Sequence, residues 1–226
     1  MNYKTSSKFV EKIRGFSILP RVIKERIASF SKLKRYEKGD AILRLSEEDK
    51  DLFFIVTGKV RISLVASTGR SLTFQILDEG EMFGEVTAID GQSRTADVIA
   101  ESDAVIGRIS NHHVKELIHN PEFAWALLER MARLNRRLTQ KVFEYHTYDV
   151  RGRVYLELLE LARVHENQPF EITDRDMASR VGTTRENVSR IHADLRRIEL
   201  IKRDKSKTSF IDVDKLQQKL EECEFQ

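Results

Sequence analysis

The chain has 226 residues, 33% charged and 40% hydrophobic with only 3 Pro and 10 Gly, which describes a globular protein long enough for two compact units. Apolar runs such as Leu52 to Val56 stop at about five residues, far short of the ~20 a spanning helix needs. The start, MNYKTSSKFVEK, has no apolar signal core, and the lone Cys223 excludes a disulfide framework or a cysteine-rich metal or cluster site.

These features set the expectation of a soluble cytoplasmic protein without a membrane partner. The net charge of +3 hides an uneven distribution: from Arg175 to Phe210 there are ten Lys/Arg against five Asp/Glu. A basic block in an otherwise balanced chain points to an anionic partner, although charge alone also fits a solvated helix face.

In chain order, the first segment is rich in strand and turn signals. Seven of the ten glycines fall between Gly39 and Gly107. Short apolar or alternating runs lie among them: Ala41–Leu45, Leu52–Val56, Val60–Val65, Leu72–Leu77, Ala96–Ala100 and Ala104–Ile109. Turn signals such as Thr-Gly-Lys, Thr-Gly-Arg and Asp-Gly-Gln separate some of them, which predicts an antiparallel barrel or roll.

The period then changes. Asn120-Pro121-Glu122 is a helix start, with Asn as N-cap, Pro at the first helical position and an acid in the first turn. No Gly or Pro follows until Gly152, so the spacing predicts a helix of about 28 residues. Leu127, Met131, Leu134, Leu138, Val142 and Tyr145 form a near-heptad stripe, with Arg130, Arg133, Arg136, Arg137 and Lys141 assigned to other faces. Such a narrow seam is explained by pairing with a second copy of the chain, or by packing on its own roll; the homodimer is the favoured reading.

From Asp149 the pattern predicts three helices and a basic hairpin. Arg153–His165 is amphipathic, Asp174–Val181 and Thr184–Ile198 form a pair around Gly182, and Lys202–Val213 reads as two short strands about a polar turn. The pair fits a helix-turn-helix, with Ala178 small at the helix crossing and Gly182 suited to the turn. At about 100° per residue, Val188, Ile191, Leu195 and Ile198 share one side of the second helix. Arg185, Glu186, Ser189 and Arg190 share the other.

That outer face has the chemistry of major-groove reading: arginine donates to guanine and glutamate accepts from cytosine. Thr173, Thr184 and Ser189 are candidate phosphate holders, and Lys202, Arg203, Lys205 and Lys207 suit a wing that positions the duplex. Double-stranded DNA is the expected partner.

A second constellation is GEMFGEVTAIDGQSRTADV, from Gly80 to Val98. Gly84 would let backbone N–H groups approach an anion, Glu85 could accept from sugar hydroxyls, and Arg94 could pair with a phosphate. Taken alone, a Gly-Glu pair with a downstream arginine is equally a turn with a surface ion pair. FGEVTAIDGQSRTA, however, resembles the phosphate-binding cassette of the cyclic-nucleotide-binding branch of the cyclic AMP receptor protein / fumarate-nitrate reductase regulator family. RENVSR resembles that family's recognition helix. The likeness runs from about Phe16 to Leu216.

The resemblance implies an α+β fold: an N-terminal antiparallel β-roll, a long dimerisation helix and a C-terminal winged helix-turn-helix, over residues 1–119, 120–148 and 149–226. It implies that Gly84 and Glu85 hold the cyclic phosphate and ribose hydroxyl, that Arg94 and Thr95 pair with the phosphate, and that Val86 gives a backbone contact. The family's base-reading pair falls on Leu138 and Thr139. The resemblance implies cyclic AMP in preference to cyclic GMP as the ligand, and Leu138, which lacks the hydroxyl of that pair, argues against strict cyclic AMP selectivity.

It further implies that Arg185, Glu186 and Arg190 read a GTGA-type half-site. RNA polymerase is the implied partner if the chain activates, although the stretch between Leu161 and Ile172 is several residues shorter than the polymerase-contacting loop of the family. The alternatives are a cyclic-nucleotide module acting on a protein partner, or the same fold with another sensory ligand. Haem would need one of His112, His113, His119 or His146, and neither haem nor a metal is expected. No HExxH, GxSxG or Walker-type motif is present, so no catalysis is expected.

Overall fold

The computed structural model describes residues 8–65, 71–204, 207–210 and 212–223. The chain divides into two compact units, one of residues 1–64 and 74–137, the other of 65–73 and 138–226. The mixed α+β architecture follows the predicted order, with antiparallel sheets first, a long helix next and a helix-turn-helix last.

The first unit is built on two four-stranded sheets. One has the order β1 (Lys32–Tyr36), β8 (Ala104–Ile109), β3 (Leu52–Thr57), β6 (Met82–Phe83). The other runs β2 (Ala41–Leu43), β7 (Asp97–Ala100), β4 (Val60–Val65), β5 (Ser71–Leu77), and its last hairpin reaches into the stretch assigned to the second unit. The pairings of β1 with β8, β8 with β3, β3 with β6, β2 with β7 and β7 with β4 are antiparallel.

Strand β3 explains how two cores fit in one small roll. Its sequence LFFIVT is buried from Leu52 to Val56, on both faces. Leu52, Phe54 and Val56 join a cluster with Val10 of α1 (Lys8–Lys12), with Ile13 and Phe16, with Ile27 of α2 (Arg21–Phe30), and with Val114 and Leu117 of α4 (Asn111–Leu117). Phe53 and Ile55 point the other way, into a cluster with Leu43, Val60, Leu77 and Val98 of the second sheet. Period-two alternation thus gives both cores an apolar set from one strand, which is why β3 reads as a continuous run. Strand β1, KLKRY, was not predicted: it pairs on one side only and is mostly exposed, so it carries the charges of an edge strand.

Helix α5 (Pro121–Thr147) has 27 residues, close to the predicted length. Its apolar stripe needs a correction. Leu127 is buried against the roll's own core with Phe123 and Ala126, and Arg130, assigned from sequence to an outer face, is buried beside them. The outward apolar residues are Trp125, Leu128, Leu138, Val142, Phe143 and Tyr145. Spacings of 123, 127, 130 therefore mark the inward face, and 125, 128, 142 the outward one.

In the second unit, α6 (Val150–Val164), α7 (Asp174–Val181), α8 (Arg185–Arg197) and α9 (Val213–Glu221) enclose a single cluster. A small antiparallel sheet joins β10 (Ile201–Asp204), β11 (Lys207–Phe210) and β9 (Phe170–Glu171). The predicted helix-turn-helix bounds hold within a residue, but Ile198, expected inside, is 43% exposed because the helix has already ended at Arg197. Helix α9 was missed: Asp212 caps it by accepting from the Lys215 N–H, and Leu216 and Leu220 pack on α6. Lys205 of the expected wing lies outside the described residues. Among the described residues no helix is long and apolar enough to cross a membrane.

Gly107 faces Phe54 directly across the β3·β8 ladder, and a Cβ there would lie 2.1 Å from that ring. Phe54 is fully buried and has nowhere to move. Gly107→Ala should destabilise the first unit by about 2 kcal/mol or more, as overpacking of a filled core does; a urea-unfolding midpoint unchanged from the parent would refute this packing.

Candidate functional site

The glycine-rich segment forms a short, tightly specified turn. Gly84 ends the β6 strand with φ of 78° and opens α3 (Glu85–Asp90), which stops at Gly91 with φ of 74°. Only glycine suits Gly84 on two counts. Its backbone is left-handed, and a Cβ would sit 2.7 Å from Arg94 Nη1 and 3.1 Å from the Asp51 carbonyl oxygen. Val86 is half-buried in the first turn of α3, and Thr95 is exposed in the loop that follows it.

Arg94 lies on that loop, 97% buried. Its backbone is clamped from both sides, since its N–H donates to Glu47 O at 2.9 Å and its carbonyl accepts from Ser46 N at 3.0 Å. The side chain donates from Nη1 to Gly84 O at 3.0 Å, and from Nη2 to Asp49 Oδ1 at 2.6 Å and Asp51 O at 2.7 Å. Its guanidinium carbon stands 5.3 Å from the Phe53 ring centroid. Nε is buried with no hydrogen-bond partner.

Asp49 and Asp51 continue the chain of charges. Asp49 Oδ2 lies 3.0 Å from Arg108 Nη2, and Asp51 Oδ2 accepts from Arg108 Nε. The bond to Asp51 raises the Arg108 pKa further, so that guanidinium stays charged. Asp51 Oδ1 accepts from the Asn111 N–H at 2.8 Å, which fixes the carboxylate at the start of β3.

Glu85 is also buried, and its partner comes from α5: Arg130 Nε lies 2.8 Å from Glu85 Oε1, with side-chain exposures of 6% and 4%. The sequence reading placed Gly84, Glu85 and Arg94 together, as they are. It missed Asp49 and Arg130, the residues that neutralise the two charged members. Arg130 shares the inward face of α5 with Phe123 and Leu127, but nothing local marks a buried arginine, and Asp49 sits in an acidic loop, EEDKD, that reads only as solvated. Leu138 and Thr139 are both exposed, on the part of α5 that belongs to the second unit.

The helix-turn-helix is held by caps and lateral ion pairs. Gly182, with φ of 66°, ends α7 and returns its N–H to Ala178 O. The Thr184 hydroxyl caps α8 by accepting from Asn187 N. The Thr173 hydroxyl caps α7 by accepting from Asp176 N and also donates to Asp176 Oδ2 at 2.7 Å. Thr173 and Thr184, two of the three expected phosphate holders, therefore serve as N-caps, a role the sequence reading did not give them, and the third, Ser189, is exposed.

Asp194 of α8 takes Arg151 from α6 and Arg197 from its own last turn, and His192, fully buried, lies with Nδ1 2.8 Å from Asp174 Oδ1 at the start of α7. These contacts leave Arg185, Glu186, Ser189 and Arg190 exposed on one face of α8. Arg190 donates to Asn187 Oδ1, not to Glu186. Among the described residues no cluster of three or more His, Cys, Asp or Glu is placed to hold a metal.

Comparison with known proteins agrees with both geometries. Residues 33–120 match the cyclic nucleotide-binding domain family, and residues 152–219 match the Crp-like helix-turn-helix domain family. The chain is 29% identical over 175 residues to the cAMP-activated global transcriptional regulator CRP of Salmonella typhimurium, covering 74% of this chain and 83% of that one. It is 29% identical over 164 residues to the cyclic AMP receptor protein of Thermus thermophilus, covering 72% and 76%. In fold it is similar to the c-di-GMP responsive global regulator CLP of Xanthomonas campestris, with a TM-score of 0.79 and 19% identity over 85% of this chain and all of that one.

Removing one member of the Glu85–Arg130 pair leaves a buried charge alone, whereas removing both does not. Arg130→Leu should therefore cost about 3 kcal/mol in denaturant unfolding, and the double variant Glu85→Gln/Arg130→Leu should recover most of that. A double variant as unstable as the single one would show that the pair is not coupled.

Proposed function

Carrying both of these domains in this order, the chain belongs to the cyclic AMP receptor protein / fumarate-nitrate reductase regulator family of transcription regulators, and we propose that it works as a homodimer switched by a cyclic nucleotide. Its domains are taken as 1–119, 120–148 and 149–226. The ligand is cyclic AMP in preference to cyclic GMP, and the output is sequence-specific binding to a palindromic GTGA-type DNA site.

One observation carries the ligand reading. A guanidinium is buried against a glycine whose missing side chain leaves it room, and its Nε has no hydrogen-bond partner. A buried N–H of that kind is completed by an anion. In this reading Arg94 and Thr95 hold the cyclic phosphate, Gly84 and the Val86 backbone line it, and Glu85 accepts from the ribose hydroxyl. Leu138 and Thr139 are where base preference is set. The nucleotide supplies no chemistry of its own; it is an allosteric ligand and no reaction is catalysed.

The DNA reading rests on the bare face of α8. Arg185 and Arg190 each offer a guanidinium to guanine, and Glu186 offers an acceptor to cytosine N4–H. A dimer would place two such helices in successive major grooves about 34 Å apart. Exposed Trp125, Leu128, Leu138, Val142 and Phe143 on α5 support the second copy as its partner, because a helix with apolar residues on both faces needs a second surface to bury them. RNA polymerase is the further partner if the protein activates transcription.

The ligand half is tested by calorimetric titration with cyclic AMP and cyclic GMP in parallel. At least one should bind, and Arg94→Ala should abolish both the heat and nucleotide-dependent DNA binding. Intact nucleotide-dependent DNA binding in that variant would overturn the proposed switch. The DNA half is tested by Glu186→Ala: discrimination at one base pair of the half-site should fall by about 1–3 kcal/mol while total affinity changes less. A uniform loss across all sequences would instead mark Glu186 as structural.

A further inference from the structure

The phosphate-pairing arginine already has an anion. A guanidinium has five N–H groups and two forks for bidentate pairing, the Nε/Nη2 edge and the Nη1/Nη2 edge. Each fork needs one Nη2 hydrogen. In this chain both Nη2 hydrogens are committed, one to Asp49 Oδ1 at 2.6 Å and one to Asp51 O at 2.7 Å. One Nη1 hydrogen goes to Gly84 O at 3.0 Å. What remains is Nε–H and the second Nη1 hydrogen, which lie on no common fork. A phosphate can meet Arg94 through a single hydrogen, but it can be held bidentately only if an Nη2 partner withdraws.

The two Nη2 partners differ in mobility. Asp51 O is main chain, in a residue whose side chain is itself fastened by Arg108 and the Asn111 N–H at the entry to β3. Asp49 contributes a side chain that is 25% exposed and can rotate. It also has a second cation at hand, because its Oδ2 lies 3.0 Å from Arg108 Nη2, and Arg108 is half-exposed. A carboxylate that left Arg94 would therefore not be left without a counter-charge.

We propose that Asp49 is a built-in competitor for the ligand's phosphate: it occupies Arg94 until the phosphate displaces it, and Arg108 receives the carboxylate when it is displaced. The role rests on the cyclic-nucleotide reading and deepens it. It makes Asp49 an affinity-setting residue and Arg108 its holding partner, neither of which belongs to the Gly84–Thr95 motif. An anion that binds here exchanges with another anion, so the affinity of the site is lower than its arginine alone would give. Nucleotide concentration must then exceed a threshold that Asp49 sets.

The experiment is calorimetric titration of the full-length chain with cyclic AMP and cyclic GMP, for wild type, Asp49→Asn, Arg108→Ala and the double variant. Asp49→Asn keeps the shape and removes the charge, and should bind at least about tenfold more tightly. Arg108→Ala should bind more weakly, because Asp49 then has only Arg94.

The double variant separates this handover from a mere loss of positive charge near the site. If Arg108 acts through Asp49, its removal should have little effect once Asp49 is Asn. If it acts as a distant cation, affinity should fall in both backgrounds, which would overturn its holding role. Wild type binding with Asp49→Asn equal or weaker would overturn the competitor role and leave the nucleotide reading intact, with Asp49 serving only to orient Arg94. Folded wild type and folded Asp49→Asn both failing to bind either nucleotide would overturn the nucleotide reading itself.

Discussion

A guanidinium that keeps only 3% of its surface must find its counter-charge and its hydrogen-bond acceptors inside the fold, and Arg94 imposes that demand on the first unit. The surrounding structure is arranged to meet it. The Ser46–Asp51 segment turns its backbone and the Asp49 carboxylate toward Arg94, and the end of β6 offers the Gly84 carbonyl. Position 84 is glycine because a side chain would occupy the space the guanidinium needs. Phe53 is placed in β3 so that its face lies near the cation, a favourable position for a ring quadrupole. The hairpin turns and edge strands of the roll are generic by comparison; in the proposed function this cluster is what makes the roll a binding domain.

The second unit solves the opposite problem, which is to leave charge unused. The side and base of the recognition helix are bonded: His192 to α7, Asp194 to α6, Asn187 to Thr183 and to Arg190, and the helix start to Thr184. The contacts to α7 and α6 fix the rotation of α8 about its own axis, and the others fasten its first turns. What is left outward is the exposed run Arg185, Glu186, Ser189 and Arg190, with Arg190 bonded to Asn187 of the same helix. The orientation entropy of the helix is thus settled within the domain, so that in the proposed function contacts to a duplex are made by groups already aimed.

The parts of this organisation legible in the sequence are those carried by local chemistry. Asn120-Pro121-Glu122 announced α5, Gly182 announced the turn, and Gly84, Glu85 and Arg94 could be picked out because glycine and charge recur at short spacing. Whatever depends on pairing across the chain was not legible. Lys32–Tyr36 is strand because β8 offers it a ladder, and nothing in KLKRY says so. Arg130 is buried because Glu85, 45 positions earlier in the sequence, is buried beneath it; the heptad count assigned it outward because arginine is normally outward. Asp49 drew no reading at all, because an acidic loop gives no local sign of a buried cation. The stripe on α5 was assigned to one face when the helix in fact has two apolar faces, one filled by its own roll and one exposed.

The two charged residues of the glycine motif differ in a way that decides how a ligand can engage them. A carboxylate has about four acceptor sites on its two oxygens, so Glu85 can keep Arg130 and still accept from a sugar hydroxyl. A guanidinium has a fixed number of hydrogens, and Arg94 has already committed those that make a fork. Contact at Glu85 is therefore additive, and contact at Arg94 is an exchange. Only the additive contact leads directly to α5, because Arg130 is part of the helix that continues without a break from Pro121 to Thr147. In the proposed switch, Arg94 and its competitor set how much nucleotide is needed, while the Glu85–Arg130 pair is where occupancy bears on the helix. The energies are of the right size: a tenfold change in DNA affinity needs a coupling of about 1.4 kcal/mol, and one hydrogen bond to a charged group contributes about 1.5–3 kcal/mol.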